Sequence, residues 1–254
     1  MKKAVALIGL IIVITFLAII VFGITTYIGE ALRYNISNIN QGKALYMAQA
    51  GVMAAIVDYE DGGSWDDAQD VNPVDELYYQ LGEDANFLRV DASSPRLFGG
   101  NKKLNGITLY NINASDNIAI SSLVVSWTSD GGETLTNIDF AGGSDEWTGS
   151  ASSGNSITLS YTFNSGSNYS LALNWGAGDD ISGKTIAIQF NFTDNSSYEA
   201  LVLDSGSGAD DAFLITATGE VRNGALVKSR RTLSVTYDVG TSEITSWEES
   251  QDHL

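Results

Sequence analysis

Residues 4–57 are AVALIGLIIVITFLAIIVFGITTYIGEALRYNISNINQGKALYMAQAGVMAAIV, mostly apolar in the first half and periodic in the second. No charged residue lies between Lys3 and Glu30. A helix of that uncharged run is ~39 Å long, and a bilayer core needs only ~20 apolar residues. In hydrocarbon every backbone N–H and C=O must be paired within the segment, so the run is expected to be helical. Leu7, Ile11, Ile14, Phe16, Leu17, Ile20 and Phe22 form its apolar body. Lys2 and Lys3 precede it and no comparable basic cluster follows, so the positive-inside rule puts the N-terminus in the cytoplasm and everything from Glu30 outside. A cleavable secretory signal has a shorter apolar region that ends in small residues, whereas this run leads into Thr25-Thr26-Tyr27-Ile28. A retained membrane helix is the better reading.

Beyond the span the pattern changes without a breaker. Leu32, Ile36, Ile39, Tyr46, Ala50, Met53 and Val57 recur at alternating steps of four and three, with Lys43 in the one polar gap. That spacing makes an apolar stripe on one helix face. No proline precedes Pro73, and Gly62-Gly63 after Asp61 form a stop signal. One helix of ~54 residues, about 80 Å long, is the economical expectation.

The formal charge of −18 comes from 13 basic and 31 acidic residues in 254. Such a surface repels nucleic acid, so no nucleic-acid partner is expected. Cysteine is absent, which removes thiolate chemistry, and the single histidine, His253, sits at the C-terminal tail. Asp58, Glu60, Asp61, Asp66, Asp67 and Asp70 offer the oxygen donors that Ca²⁺ takes, but their spacing is not that of an EF-hand loop. No cofactor is expected.

The segment from Gln41 to Ile56, QGKALYMAQAGVMAAI, resembles the ALYxAEAGxxxAI signature of PilX-like minor pilins, with Gln49 in place of the usual glutamate. The resemblance implies a type IV pilin-like architecture, α+β: a long N-terminal helix, membrane-embedded then amphipathic, packed on an antiparallel β-sheet head. Leu32, Ile36, Ile39, Ala50, Met53 and Val57 would then hold the helix to the head, and Leu7 through Phe22 would pass from the membrane to the filament core. Implied partners are other pilin subunits, the inner membrane before assembly and the pilus assembly machinery. The leader departs from the family: no Gly-Phe cleavage site follows Lys2-Lys3, and no acidic residue precedes Glu30 to neutralise a neighbour's N-terminal amine. A minor or tip-like subunit, or one that is not processed at all, fits better than a major one, with leader removal near Ala4, Ala6 or Gly9 left open.

Residues 61–105 read as an acidic linker with a short helix opened by Pro73 and ended by Gly82. Residues 106–205 alternate with period two, as in Ile157 to Phe163, Leu171 to Trp175 and Ile186 to Phe192, between Gly-rich turns. Roughly eight such strands suggest an inserted β-sandwich, jelly-roll or immunoglobulin-like. Ser205 to Asp211 is expected as a loop. Residues 206–254 hold closing strands with a turn at Asn223-Gly224, and they resemble the last strands of PilX-like chains. Trp127 and Trp175 are in phase with apolar faces, whereas Trp147, between glycine turns, is the candidate for surface recognition.

Three functions follow: a structural subunit of a pilus-like filament with an adhesive surface, extracellular once assembled; a permanently anchored carbohydrate- or protein-binding module; or an enzyme. Adjacent carboxylates such as Asp179 and Asp180 point to opposite faces of a strand or sit in a soft turn. Catalysis is therefore not expected.

Overall fold

The computed structural model describes residues 2–62, 71–74, 76–113, 115–140 and 145–251, with helix side chains described from Ile14 onward. The side chains of Leu7 and Ile11, Asp66, Asp67, Asp70, the Gly142-Gly143-Ser144 turn and His253 lie outside the described residues.

Helix α1 runs from Lys2 to Glu60, 59 residues or ~88 Å, and stays helical through Gly23 and Gly29. Its polar side chains in the apolar half are turned back onto the backbone: Thr25 Oγ1 donates to the Val21 carbonyl at 2.8 Å and Thr26 Oγ1 to that of Phe22 at 3.0 Å. This satisfies both threonine hydroxyls within the helix. Gly62 closes the helix at φ +75°, its N–H donating to the Tyr59 carbonyl.

Apart from a 3-10 turn at Asp84–Phe87, the regular structure in the other described residues is antiparallel β: β1 (Val71–Val74), β2 (Leu77–Gln80), β3 (Leu88–Asp91), β4 (Arg96–Phe98), β5 (Lys103–Asn111), β6 (Ile118–Trp127), β7 (Leu135–Phe140), β8 (Asp145–Ala151), β9 (Ser156–Phe163), β10 (Asn168–Trp175), β11 (Ile186–Phe192), β12 (Ser197–Leu203), β13 (Asp211–Asn223), β14 (Leu226–Asp238) and β15 (Glu243–Gln251). The class is α+β, one long helix and a large antiparallel sheet. Among the described residues that sheet has eleven strands in the path β1-β2-β13-β3-β5-β10-β7-β8, with β14 and β15 beyond β13 and β4 on β5. A second sheet follows the order β12-β11-β6-β9.

The long strand β13 joins the parts. One edge pairs with β14 along its length, while the other is shared: Thr218 to Val221 pair with β2 and Asp211 to Phe213 with β3. The strands expected as a separate insertion therefore divide. β5, β7, β8 and β10 continue the large sheet, and β6, β9, β11 and β12 make the second. Their apolar faces meet, with Trp127 edge-on to Trp175 at 5.7 Å between ring centroids and Phe140 against Phe163 at 5.4 Å. Alternation supplies this core: Ile186, Ile188, Phe190 and Phe192 are buried while Ala187, Gln189 and Asn191 between them are half-buried.

One expectation is corrected here. Val71–Val74 and Leu77–Gln80 pair as a hairpin where a short helix was expected, and the stretch expected as a linker holds β1 to β4 and a 3-10 turn at Asp84–Phe87. Leu77, Tyr78, Tyr79 and Gln80 pair with Val221 to Thr218 along the edge of β13, and Glu76 takes φ +67° at the turn. A non-local partner outweighs a proline start signal.

Candidate functional site

Two features stand out: a helix that is bare at one end and roofed at the other, and a polar cleft behind the sheet. On the helix, Ile14, Phe16, Leu17, Ile19, Phe22 and Tyr27 are exposed at half their surface or more. Exposed apolar groups in so long a run mark a surface meant for lipid or protein rather than water. This helix is long and apolar enough to cross a membrane.

The outer half is seated on β13, β14 and β2. Its buried face consists of Ala44, Met47, Ala48, Val52, Ala55 and Ile56, with Gly51 against Tyr79 and Ala217 of the sheet. At the closest approach Gly219 has no room for a side chain. A Cβ there would lie 1.9 Å from the Ala44 carbonyl oxygen and 2.4 Å from the Ala48 nitrogen. Backbone thus meets backbone across small residues, as the Ala- and Gly-rich run suggests.

Polar contacts fix the register. Arg231 Nη2 donates to Gln41 Oε1 at 3.1 Å where the helix first meets the sheet. At the far end Tyr237 Oη donates to Glu60, and Arg89 Nη1 donates to Tyr59 Oη at 3.0 Å. Arg89 also holds Asp211 in a fork, 2.6 and 2.5 Å, and stacks on Tyr110 at 4.6 Å. The carboxylate keeps Arg89 protonated, raising its pKa, while burial raises that of Tyr59. Sequence reasoning singled out none of Arg89, Asp211 or Gly219 for this role, because each acts through partners distant in the chain.

The stripe expected to hold the head does not. Leu32, Ile36, Ile39, Met53 and Val57 are 50–58% exposed and Ala50 is half-buried. A bulky side chain at position 44 or 48 would push the sheet away from Gly219, so the face that carries Ala44 and Ala48 turns inward and the stripe outward. Trp147 is likewise not an open platform. It is half-buried, pairs with Ile138 and lies over Gly149, where an added Cβ would be 2.5 Å from its ring. Trp127 and Trp175 are core residues at 6% and 3% exposure. Trp247, on the edge strand β15, is the exposed tryptophan among the described residues, at 51%.

The cleft has a volume of about 520 Å³ and lies between β12 with its preceding turn and the sheet face opposite the helix. Glu83, Asp194, Glu199 and Glu248 line it together with Thr216 and Ser234, whose hydroxyls bond at 3.1 Å. Burial raises the pKa of Glu83, and the Asp194 charge adds to that. Asp179 accepts from the Thr134 and Gly176 N–H groups at 2.9 Å each, so its carboxylate organises a turn. Among the described residues no group of three or more His, Asp or Glu is gathered to hold a metal ion.

No protein-family model and no curated protein matches the chain. Among solved structures, that of Spo0M, a sporulation control protein from Bacillus subtilis, is similar with a TM-score of 0.21 and 7% identity over 70% of this chain and 89% of that one. That likeness is too slight to bear on fold or function.

Proposed function

We propose that the chain is a structural subunit of a type IV pilus-like filament, a minor or tip-like subunit of PilX-like kind, with its β-strands carried outside for surface adhesion. One observation carries this reading: a single unbroken helix is bare and apolar over 14–28 and covered by strands on one face over 44–56. Lys2-Lys3 ahead of the span orients the β part away from the cytoplasm. Membrane burial stores the subunit, and assembly exchanges lipid contacts of Ile14, Leu17 and Phe22 for contacts with other helices. In this reading the second sheet and the strands β5, β10 and β7 that face it make a β-sandwich presented outward.

Labelling the β13–β14 turn at Gly224 and imaging sheared filaments tests it, with N-terminal sequencing of the same material. The expected result is label along or at the tip of filaments. Label retained in the inner membrane, with Met1 intact, refutes it and leaves a permanently anchored binding module. The acidic, hydroxyl-lined cleft favours that second reading, in which it would take a cationic or polyhydroxylated ligand. Loss of binding to a lysine-rich peptide in Glu199→Gln would support it.

A further inference from the structure

The stripe turned away from the sheet has a regularity of its own. Leu32, Ile36, Ile39, Lys43, Tyr46, Ala50, Met53 and Val57 step alternately by four and three. The mean is 3.5 residues, the repeat of a two-stranded coiled coil, with Leu32, Ile39, Tyr46 and Met53 at d and Ile36, Lys43, Ala50 and Val57 at a. Tyr46 is 70% exposed and Leu32, Ile36, Ile39, Met53 and Val57 at least half exposed, on the helix side opposite Ala44, Ala48 and Ala55.

We infer that this seam pairs with the same seam of a second copy, as a parallel two-stranded coiled coil formed in the membrane before any filament. It rests on the membrane-span part of the functional reading and not on the filament. The chain carries −18, so most of its faces repel a copy of itself, yet between Arg33 and Asp58 the one charged residue is Lys43. The flanking Asn35, Asn40 and Gln49 are uncharged, so between those limits Lys43 against its own copy is the one like-charge pair across the seam. Two spans in one bilayer with one orientation are already parallel, which aligns the seams in register and raises their effective concentration. A single lysine at a core position penalises larger bundles, because its stem packs while its ammonium must reach water. The seam is 26 residues long, ~39 Å and more than three heptads.

The absence of native cysteine makes the test direct. Full-length variants Ile36→Cys, Ile39→Cys and Met53→Cys, with Ser37→Cys and Asn38→Cys off the seam, are reconstituted alone in phospholipid vesicles and oxidised. Disulfide-linked dimer several-fold more abundant at 36, 39 and 53 than at 37 and 38 is expected. Equal cross-linking at all five positions, or none, overturns the pairing. Ile39→Asp should abolish cross-linking through Ile36→Cys while leaving the head's melting temperature unchanged, since Ile39 is 58% exposed and lies outside the buried helix face. A fall in head stability would instead mark the stripe as part of the fold. Cross-linking without filament labelling would leave the dimer standing and remove the pilus reading, and the reverse would remove only the dimer.

Discussion

Substituting the three glycines around the helix–sheet contact gives effects of opposite sign that the packing fixes in advance. At Gly219 a methyl group would stand 1.9 Å from the Ala44 oxygen, where ordinary contact begins at 3.4 Å. Helix and strand would have to separate by about 1.5 Å, since backbone on both sides cannot rotate away. A radial gap of ~0.5–1 Å already forfeits a quarter to a half of each dispersion contact, and Met47, Val52, Ala55 and Ile56 share this face. Gly219→Ala should therefore cost about 3 kcal/mol, at the upper end of overpacking effects. That corresponds to a melting temperature lower by roughly 6–12 °C for a domain of this size. Gly42→Ala lies on the same helix in open space and should stabilise by about 0.5–1 kcal/mol through helix propensity alone. Gly51→Ala, with its Cβ 3.0 Å from the Tyr79 ring and 3.1 Å from Ala217, should fall between them. Thermal unfolding of the full chain in detergent micelles, followed by near-ultraviolet circular dichroism, reads the order. A Gly219→Ala melting temperature within about 2 °C of the parent would refute the close approach and the helix seating built on it.

Leu17→Arg places a charge in the exposed apolar half at a cost of about 3 kcal/mol for insertion, and fractionation should show the chain leaving the membrane pellet. Trp175→Ala empties a buried site against Trp127 and should destabilise by about 3–5 kcal/mol, read as a lower denaturant midpoint with the helix signal retained. Lys184, 2.9 Å from Glu133, holds that carboxyl down to about 2 with help from the Gly131 N–H. A depressed folded pKa contributes stability above the ordinary glutamate value of 4.5, lost as pH falls from there toward 2. Protection factors for hydrogen exchange in the β6–β7 loop, taken relative to the intrinsic rate at each pH, should fall over that window in the parent, and Glu133→Gln should flatten the response.

The sequence alone determined the rod, its length and its end. An uncharged run, no proline and a glycine past Asp61 are local signals, and helical hydrogen bonds join residues four apart. Alternation likewise marked β9, β10 and β11 near their ends and put Trp127 and Trp175 in the core, because a strand's two faces are set by its own period. Only the tertiary structure decided which helix face turns inward. Periodicity marks the bulky stripe, but the sheet closes on the Ala44–Ala55 ridge because Gly219 lets two backbones touch there. The same holds for the hairpin at 71–80, which forms because β13 offers it an edge, and for the Arg89, Asp211 and Tyr59 cluster. Contacts of that kind join residues 30 to more than 120 positions apart, and no local pattern encodes them.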